Sequence, residues 1–487
     1  MGLKFDMGLI QKVDRKLIGD LAIFQPVPAW TAILGLIILI LITLLVKVTI
    51  IAWLVYYLGS FIVGIFLYQH YPILYAGFTW WLWFVGPLIK RLIDYQSGYV
   101  MPGAWDLIPA LVTSISLVTF VRHLPRAIKT GGFPFILGIS AVFYGFLIGI
   151  IHQPITIRDI TVLLVWLSPI LFGFHLFVNW RNYPIYRENL LRVFFWGVVV
   201  MGVYGIWQFF LPLPWDKFWI ELDGQCLCFQ DRLWSTTYTP FIFGIFMSGG
   251  LLLLFINQTA LKVPSSIAGY LSFLLTLSRS AWLSWILGLL LLFPSLKVRF
   301  QKRLIITFVI MVFLCLPLIS IEPFSEIIGS RLTSFTNLDS DSSYLARIEN
   351  YHNNTDSALF EFFGKGLSPT IETDEFYSLT DAGILYLLFA LGWFGTIPFF
   401  IGITLLFLNL FYIYKSCSDP FLITLRSISL SLFLLSLIGL PGVVASDGMM
   451  MVWGFLGISS AGCKYYMLHD KMMPSGNKYY LTRLNNN

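Results

Sequence analysis

The residues of this chain best suited to chemistry are cations set at the ends of apolar runs. Arg279, in Leu277-Ser278-Arg279-Ser280-Ala281-Trp282, separates two such runs. A charge beside hydrocarbon is costly, so it belongs at a membrane face or in a polar cavity and marks a functional position. Guanidinium groups grip phosphate through paired, charge-assisted hydrogen bonds. Arg279 and, in a later polar stretch, Arg347 are two of several cations that together could make an anion-binding pocket. Farther along, Thr373-Asp374-Glu375-Phe376-Tyr377 supplies two carboxylates. Both suit the first turn of a following helix. Lys90 and Arg91 close a run containing Trp80, Trp81 and Trp83, and read either as ligand contacts or as an interfacial anchor. Arg232 follows a Pro- and aromatic-rich segment that includes Trp215 and Asp216, of a kind that lines sugar or lipid grooves or caps a membrane interface.

The elements that must position these residues are membrane helices. Of 487 residues, 57% are hydrophobic and only 11% charged, with a mean hydropathy of +0.80; a soluble domain carries about 25% charged residues. A helix needs roughly 20 mostly apolar residues to cross the hydrocarbon. Stretches of that kind fall at 29–46, 48–68, 73–89, 105–121, 133–151, 158–178, 190–212, 239–256, 264–277, 281–296, 304–321, 383–412, 421–443 and 448–467. We expect an all-α polytopic bundle of about fourteen spans forming one integral membrane domain over 1–487. Residues 1–28 lack a cleavable signal pattern and read as a cytoplasmic leader.

An even span count puts both termini on one side. With that side inside, Arg122, Arg126 and Lys129, then Arg181, Arg187 and Arg192, then Lys297, Arg299, Lys302 and Arg303, and lastly Lys415, fall in cytoplasmic loops, as the positive-inside rule requires. This placement also accounts for most of the net charge of +6 without a nucleic-acid partner. Lys90, Arg91, Arg232, Arg279 and Arg347 fall on the opposite face, against the bias. An outer loop over 322–380, about 60 residues long, exceeds an ordinary connection and is expected to be functional. Within it, Tyr344 to Phe363 and Phe376 to Leu391 carry helical apolar spacing. The cysteines, Cys226 and Cys228 among them, show no metal-ligand spacing.

The segment Leu275-Thr276-Leu277-Ser278-Arg279-Ser280-Ala281-Trp282-Leu283, then Arg347 upstream of Phe363-Gly364-Lys365-Gly366, then Asp374 with Tyr377 and Asp381-Ala382-Gly383-Ile384, resembles in order and spacing the O-antigen ligase and polymerase superfamily. The resemblance covers roughly 190–460. It implies a type-C glycosyltransferase fold in a bacterial inner membrane, acting without a metal or other cofactor on glycans carried by undecaprenyl diphosphate at the periplasmic face. Arg279 and Arg347 would stabilise the departing diphosphate, with Asp374 or Glu375 as base. Arg232, Arg91, Lys90, Trp215 and Tyr377 would form a substrate-binding shell. A flippase and a chain-length regulator of the same pathway are the implied partners. Ligases of this family carry a His just before the Gly-Ile helix; here Asp374 and Glu375 stand in that region, which favours a polymerase. A ligase is the alternative within the class. A transporter of polysaccharide or lipid-linked sugar is the alternative outside it, and transporters commonly contain internal repeats, of which none is apparent.

Overall fold

The structure, a computed structural model, describes residues 26–98, 107–222, 232–256, 262–319, 342–368, 383–413, 419–439 and 447–472. The described residues contain helices and connecting turns and no strand. In chain order the helices are α1 (Val27–Leu45), α2 (Thr49–His70), α3 (Pro72–Ser97), α4 (Leu107–Thr130), α5 (Phe133–His152), α6 (Ile157–Val178), α7 (Tyr183–Phe210) and α8 (Pro214–Leu222). They continue as α9 (Pro240–Leu254), α10 (Lys262–Leu275), α11 (Arg279–Leu292), α12 (Val298–Ile319), α13 (Ser342–Leu359), α14 (Gly383–Leu408), α15 (Pro420–Gly439) and α16 (Asp447–Met472). Among the described residues nine helices are long and apolar enough to cross a bilayer. The chain is thus an all-α polytopic membrane protein.

Local sequence sets many of the boundaries. Proline stands in the first turn of α1, α3, α5, α7 and α9, where its missing N–H removes no helical bond. Thr156 and Asp159 close a reciprocal capping box at the start of α6. Gly98, at φ +64°, ends α3 in the left-handed region. That end lies two turns beyond the 73–89 span expected from hydropathy, because Lys90, Arg91 and Asp94 are buried within the bundle instead of ending it. Trp80 and Trp83 are likewise core residues, 1% and 0% exposed, and not the interfacial anchors their clustering suggested. The Trp80 ring meets Phe84, Phe172, Phe194 and Phe455.

Side-chain contacts fix which helix ends lie together. His175, near the end of α6, packs on Tyr75, near the start of α3. Asn189, near the start of α7, donates to the Ile73 carbonyl at 2.8 Å. These termini mark a lower end, so Ser97, Ile157 and Phe210 belong to an upper end. Asp419 ties the lower end together: it pairs with Arg187 at 3.4 Å and accepts from the Tyr183 and Tyr466 hydroxyls at 2.9 and 3.0 Å. Glycine lets backbones cross closely in the centre of the bundle. A Cβ on Gly173 would lie 2.4 Å from the Trp453 carbonyl oxygen, and one on Gly457 would lie 2.2 Å from that of Gly173.

Two helical paths are interrupted. Between α10 and α11 the chain turns through Leu277, at φ +50°. Within α14, Gly392 adopts φ 59°, ψ −176°, a conformation essentially restricted to glycine. The turn preceding α14 fills this second break. The Lys365 and Gly366 amides donate to the Phe389 and Ala390 carbonyls at 2.7 and 3.1 Å, while the Trp393 and Phe394 amides donate to Glu361 and Phe362 at 3.3 Å each. Phe360 to Phe363 consequently leave the helix that their apolar spacing predicted, since α13 stops at Leu359.

Gly392→Ala should therefore lower stability by about 2–4 kcal/mol, combining backbone strain with a Cβ that would sit 2.4 Å from the Phe362 oxygen. The measurement is the thermal midpoint of detergent-purified protein. Gly35→Ala, where a Cβ meets nothing within 4 Å, is the matched control and should be neutral.

Candidate functional site

The upper end brings most of the described sequence candidates onto one face of the bundle, by way of one segment. Residues 232–239 descend between helices, and the Leu233 amide donates to the Leu275 carbonyl at 3.0 Å, where α10 stops. Beyond that point Thr276 and Leu277 turn the chain, the Ser278 amide meets the Thr276 hydroxyl at 3.3 Å, and α11 starts at Arg279. No side chain caps this start. Arg279 is half-buried there, and the Ser278 and Ser280 hydroxyls lie 3.3 Å apart. Ala281 is fully buried against Gly244 of α9, where a Cβ would come within 2.4 Å of the Ala281 methyl. A helix N-terminus combined with a guanidinium is an arrangement that suits an anion.

The 232–239 segment is itself held by a buried polar knot. Arg91 is 2% exposed and Asp216 0%. The Arg91 guanidinium donates to Asp216 at 3.0 Å and also to the Ser235 carbonyl. The Tyr204 hydroxyl donates to both Asp216 oxygens at 3.0 and 3.2 Å, and the Gln208 amide donates to one at 2.8 Å. Gln208 also accepts from the Ser235 amide at 2.7 Å, and the Trp215 indole donates to Tyr204 at 2.9 Å. Ser235 adopts φ +53° inside this cradle. Next to it the Lys90 ammonium pairs with Asp94 and faces the Trp53 and Trp219 rings at 5.7 and 5.8 Å. Lys90, Arg91 and Trp215 are thus engaged by internal partners, and Arg91 holds the segment that braces the Ser278-Arg279 turn directly, through the Ser235 carbonyl. Arg232 opens that segment and is half-buried.

Arg347 lies on α13. This helix covers the upper half of α14: Ala358 packs with Leu385, Leu388 and Phe389, with Tyr351 and Trp393 at the edge. The Trp393 indole donates to the Leu359 carbonyl at 2.9 Å. The Gly364-Lys365-Gly366 turn sits beside it, with the Lys365 ammonium 4.8 Å from the Phe389 ring centre. Asp374, Glu375 and Tyr377 lie outside the described residues, as does 1–25 of the expected leader. Among the described residues no group of three metal-ligating side chains occurs.

Sequence reasoning paired Trp215 with Asp216 but gave no sign that Asp216 meets Arg91, 125 residues away. Tyr204 was hidden in an apolar run. The Gly-x-Gly turn was visible as a place of close approach, whereas its partner Gly392 looked like an ordinary helix residue.

Fold and site together define a polytopic helical membrane protein with a polar, Arg-bearing upper end. No protein-family model matches the sequence, and no curated protein is similar to it.

Removing one member of the buried pair should be far worse than removing both. Asp216→Ala is expected to destabilise by about 3–5 kcal/mol by stranding the Arg91 charge, and Arg91→Met added to it should restore a large part of that loss. The yield and thermal midpoint of monodisperse protein for both single variants and the double variant measure the coupling. Additive single-variant losses would overturn the assignment.

Proposed function

We propose that this chain is a glycan polymerase of the bacterial inner membrane, transferring a growing chain from one undecaprenyl diphosphate carrier to a lipid-linked repeat unit during O-antigen, capsule or exopolysaccharide assembly. The observation that carries this reading is the Ser278-Arg279 turn, braced by residues 232–239 at the same end of the bundle as α13 and the Gly364–Gly366 turn. These are the pieces whose order in the sequence resembles the O-antigen ligase and polymerase superfamily. About fourteen spans and cytoplasmic termini complete the reading. The lower end gathers Arg126, Lys129, Arg181 and Arg187, a distribution that supports a periplasmic upper end under the positive-inside rule.

In the reaction proposed, an acceptor hydroxyl attacks the anomeric carbon of the donor glycan. The bond from that carbon to the diphosphate oxygen breaks, and the diphosphate leaves with the bonding electrons. Arg279, the uncapped start of α11 and Arg347 stabilise the charge that develops on it. Asp374 or Glu375 receives the hydroxyl proton. No metal or organic cofactor has a part in this scheme. Arg91, Lys90 and Trp215 act through the scaffold, while Arg232 and Tyr377 are assigned to substrate binding. A flippase supplies the donor and a chain-length regulator limits the product. A ligase, delivering the finished glycan to a lipid or protein acceptor, would use the same clamp.

One structural feature favours a different class. The interruption at Gly392, together with that at Leu277, gives a pair of broken helical paths, a device transporters use to line a substrate route. A lipid-linked-sugar transporter is therefore the second reading.

Surface glycan separated on a gel distinguishes the three. For a polymerase, Arg279→Ala and Arg347→Ala reduce the ladder to single repeat units, with transfer of those units to the final acceptor intact. For a ligase, surface glycan disappears entirely, and for a transporter the lipid-linked unit accumulates on the inner leaflet. A normal ladder from both variants, correctly inserted, would sink the diphosphate clamp.

A further inference from the structure

Helix α4 runs out of depth before it runs out of residues. It descends beside α3, where the Tyr75 hydroxyl, near the lower start of that helix, donates to the Val112 and Thr113 carbonyls at 2.9 and 3.0 Å. After a single 3-10 turn at Ser114–Ser116 it has reached the lower end. There the Thr119 hydroxyl lies 2.8 Å from that of Tyr68 in the last turn of α2 and 2.7 Å from His175 Nδ1 in the last turn of α6. Residues 120–130 remain, roughly 16 Å of helix, and they fold back on the bundle. Phe120 meets the Phe174 ring at 5.2 Å. The Gly132 amide closes the helix on the Ala127 carbonyl at 2.8 Å, and a Cβ on Gly132 would lie 3.1 Å from the same Phe174 ring. Phe174 thus touches both ends of the stretch from Phe120 to Ala127, so this part of α4 lies across the end of α6 and not alongside it. Arg122, Arg126 and Lys129, expected in a loop after a span at 105–121, stand instead on a helix along the lower end.

The spacing of residues 117–130 divides this helix into three faces. Thr119 and Ala127, 4% and 1% exposed, face the bundle. Leu117, Val121, Leu124 and Ile128 form a stripe turned away from it, with Val121 and Ile128 65% and 61% exposed. Arg122, Arg126 and Lys129 form an exposed row between the two. No acidic residue occurs between Asp106 and Asp159, and none of the three cations forms an ion pair among the described residues. The basic patch continues at Lys464 on α16, whose ammonium meets the Thr130 carbonyl at 3.3 Å and the Phe177 ring at 4.9 Å. It ends at Arg181, which shares the Trp180 ring with Lys464.

A stripe of four apolar side chains is costly in water and favourable in the acyl region of a bilayer, and a row of cations beside it then lies at the depth of the lipid phosphates. An acidic protein segment would satisfy the cations and leave the stripe without a partner. We propose that residues 117–130 form an in-plane amphipathic helix that binds anionic phospholipid headgroups of the lower leaflet through Arg122, Arg126 and Lys129, with Lys464 and Arg181 at its far end. The assignment is independent of the reaction proposed for the upper end.

The test titrates full-length protein in a neutral detergent with dioleoyl phosphatidylglycerol and, separately, with dioleoyl phosphatidylcholine, and counts bound lipid by native mass spectrometry. Phosphatidylglycerol should bind more tightly. Arg122→Gln, Arg126→Gln and Lys129→Gln combined should weaken its binding roughly a hundredfold and leave phosphatidylcholine unchanged. Lys297→Gln, Arg299→Gln and Lys302→Gln combined remove as many cations from the lower end near α12 and should leave the affinity nearly unchanged. Arg122→Lys with Arg126→Lys keeps the charge and should keep the binding, which separates lost charge from a misfolded helix. Equal affinity for the two lipids, or equal losses in the two neutralised variants, overturns the proposal. Preference of the patch for polyglutamate over phosphatidylglycerol would assign it to an acidic protein and overturn it as well.

Discussion

Where water is absent, every amide and carbonyl must find a partner in the protein, and this requirement organises the upper end of the bundle. An unbroken helix meets it internally. An interrupted one cannot, and here each interruption is answered by a particular loop. The carbonyl left at the end of α10 takes the Leu233 amide, and the break at Gly392 takes donors and acceptors from residues 361–366. The candidate chemistry sits at the same places because a broken helix is where backbone and polar side chains can be offered to a substrate.

The loops that fill the breaks need anchors of their own. For residues 232–239 the anchor is the Arg91 and Asp216 pair, to which Tyr204, Gln208 and Ser235 add further hydrogen bonds. A buried ion pair of this kind is a poor source of net stability, since desolvation offsets much of the attraction. Its value lies in permitting one geometry. For residues 361–368 the anchor is steric. Gly364, Gly366, Gly392 and Gly149 bring backbones within van der Waals contact, and the Tyr144 hydroxyl fastens the turn at the Phe363 carbonyl, 2.9 Å away.

Much of the helical framework was legible because hydrophobicity over a span-length window is a strong signal. Helices Phe133–His152 and Ile157–Val178 fall within a residue or so of the 133–151 and 158–178 stretches. The charges misled for an instructive reason. Lys90 and Arg91 looked like the close of a span because a charge in hydrocarbon is costly, yet carboxylates on α3 and α8 let the helix run on to Ser97. Sequence distance hid one of those carboxylates. The interruption at Gly392 was invisible for the opposite reason: its neighbours Leu391 and Trp393 are as apolar as any span, and only the hydrogen bonds to the turn of residues 361–366 reveal it. The Ser278-Arg279 junction, by contrast, could be read directly, since polar residues there have no place inside a continuous span.

The separation between Arg91 and Asp216 also bears on how the chain is made. Lys90 has Asp94 on its own helix, available as soon as α3 leaves the ribosome. The Asp216 carboxylate is synthesised 125 residues later, and the Ser235 carbonyl later still. During that interval α3 carries, near its upper end, a guanidinium whose partners have yet to be made; an unpaired Arg is costly within hydrocarbon and less so where it can snorkel to the interface. The native pairing of Arg91 is therefore complete only after α7, α8 and the segment that follows them have been synthesised.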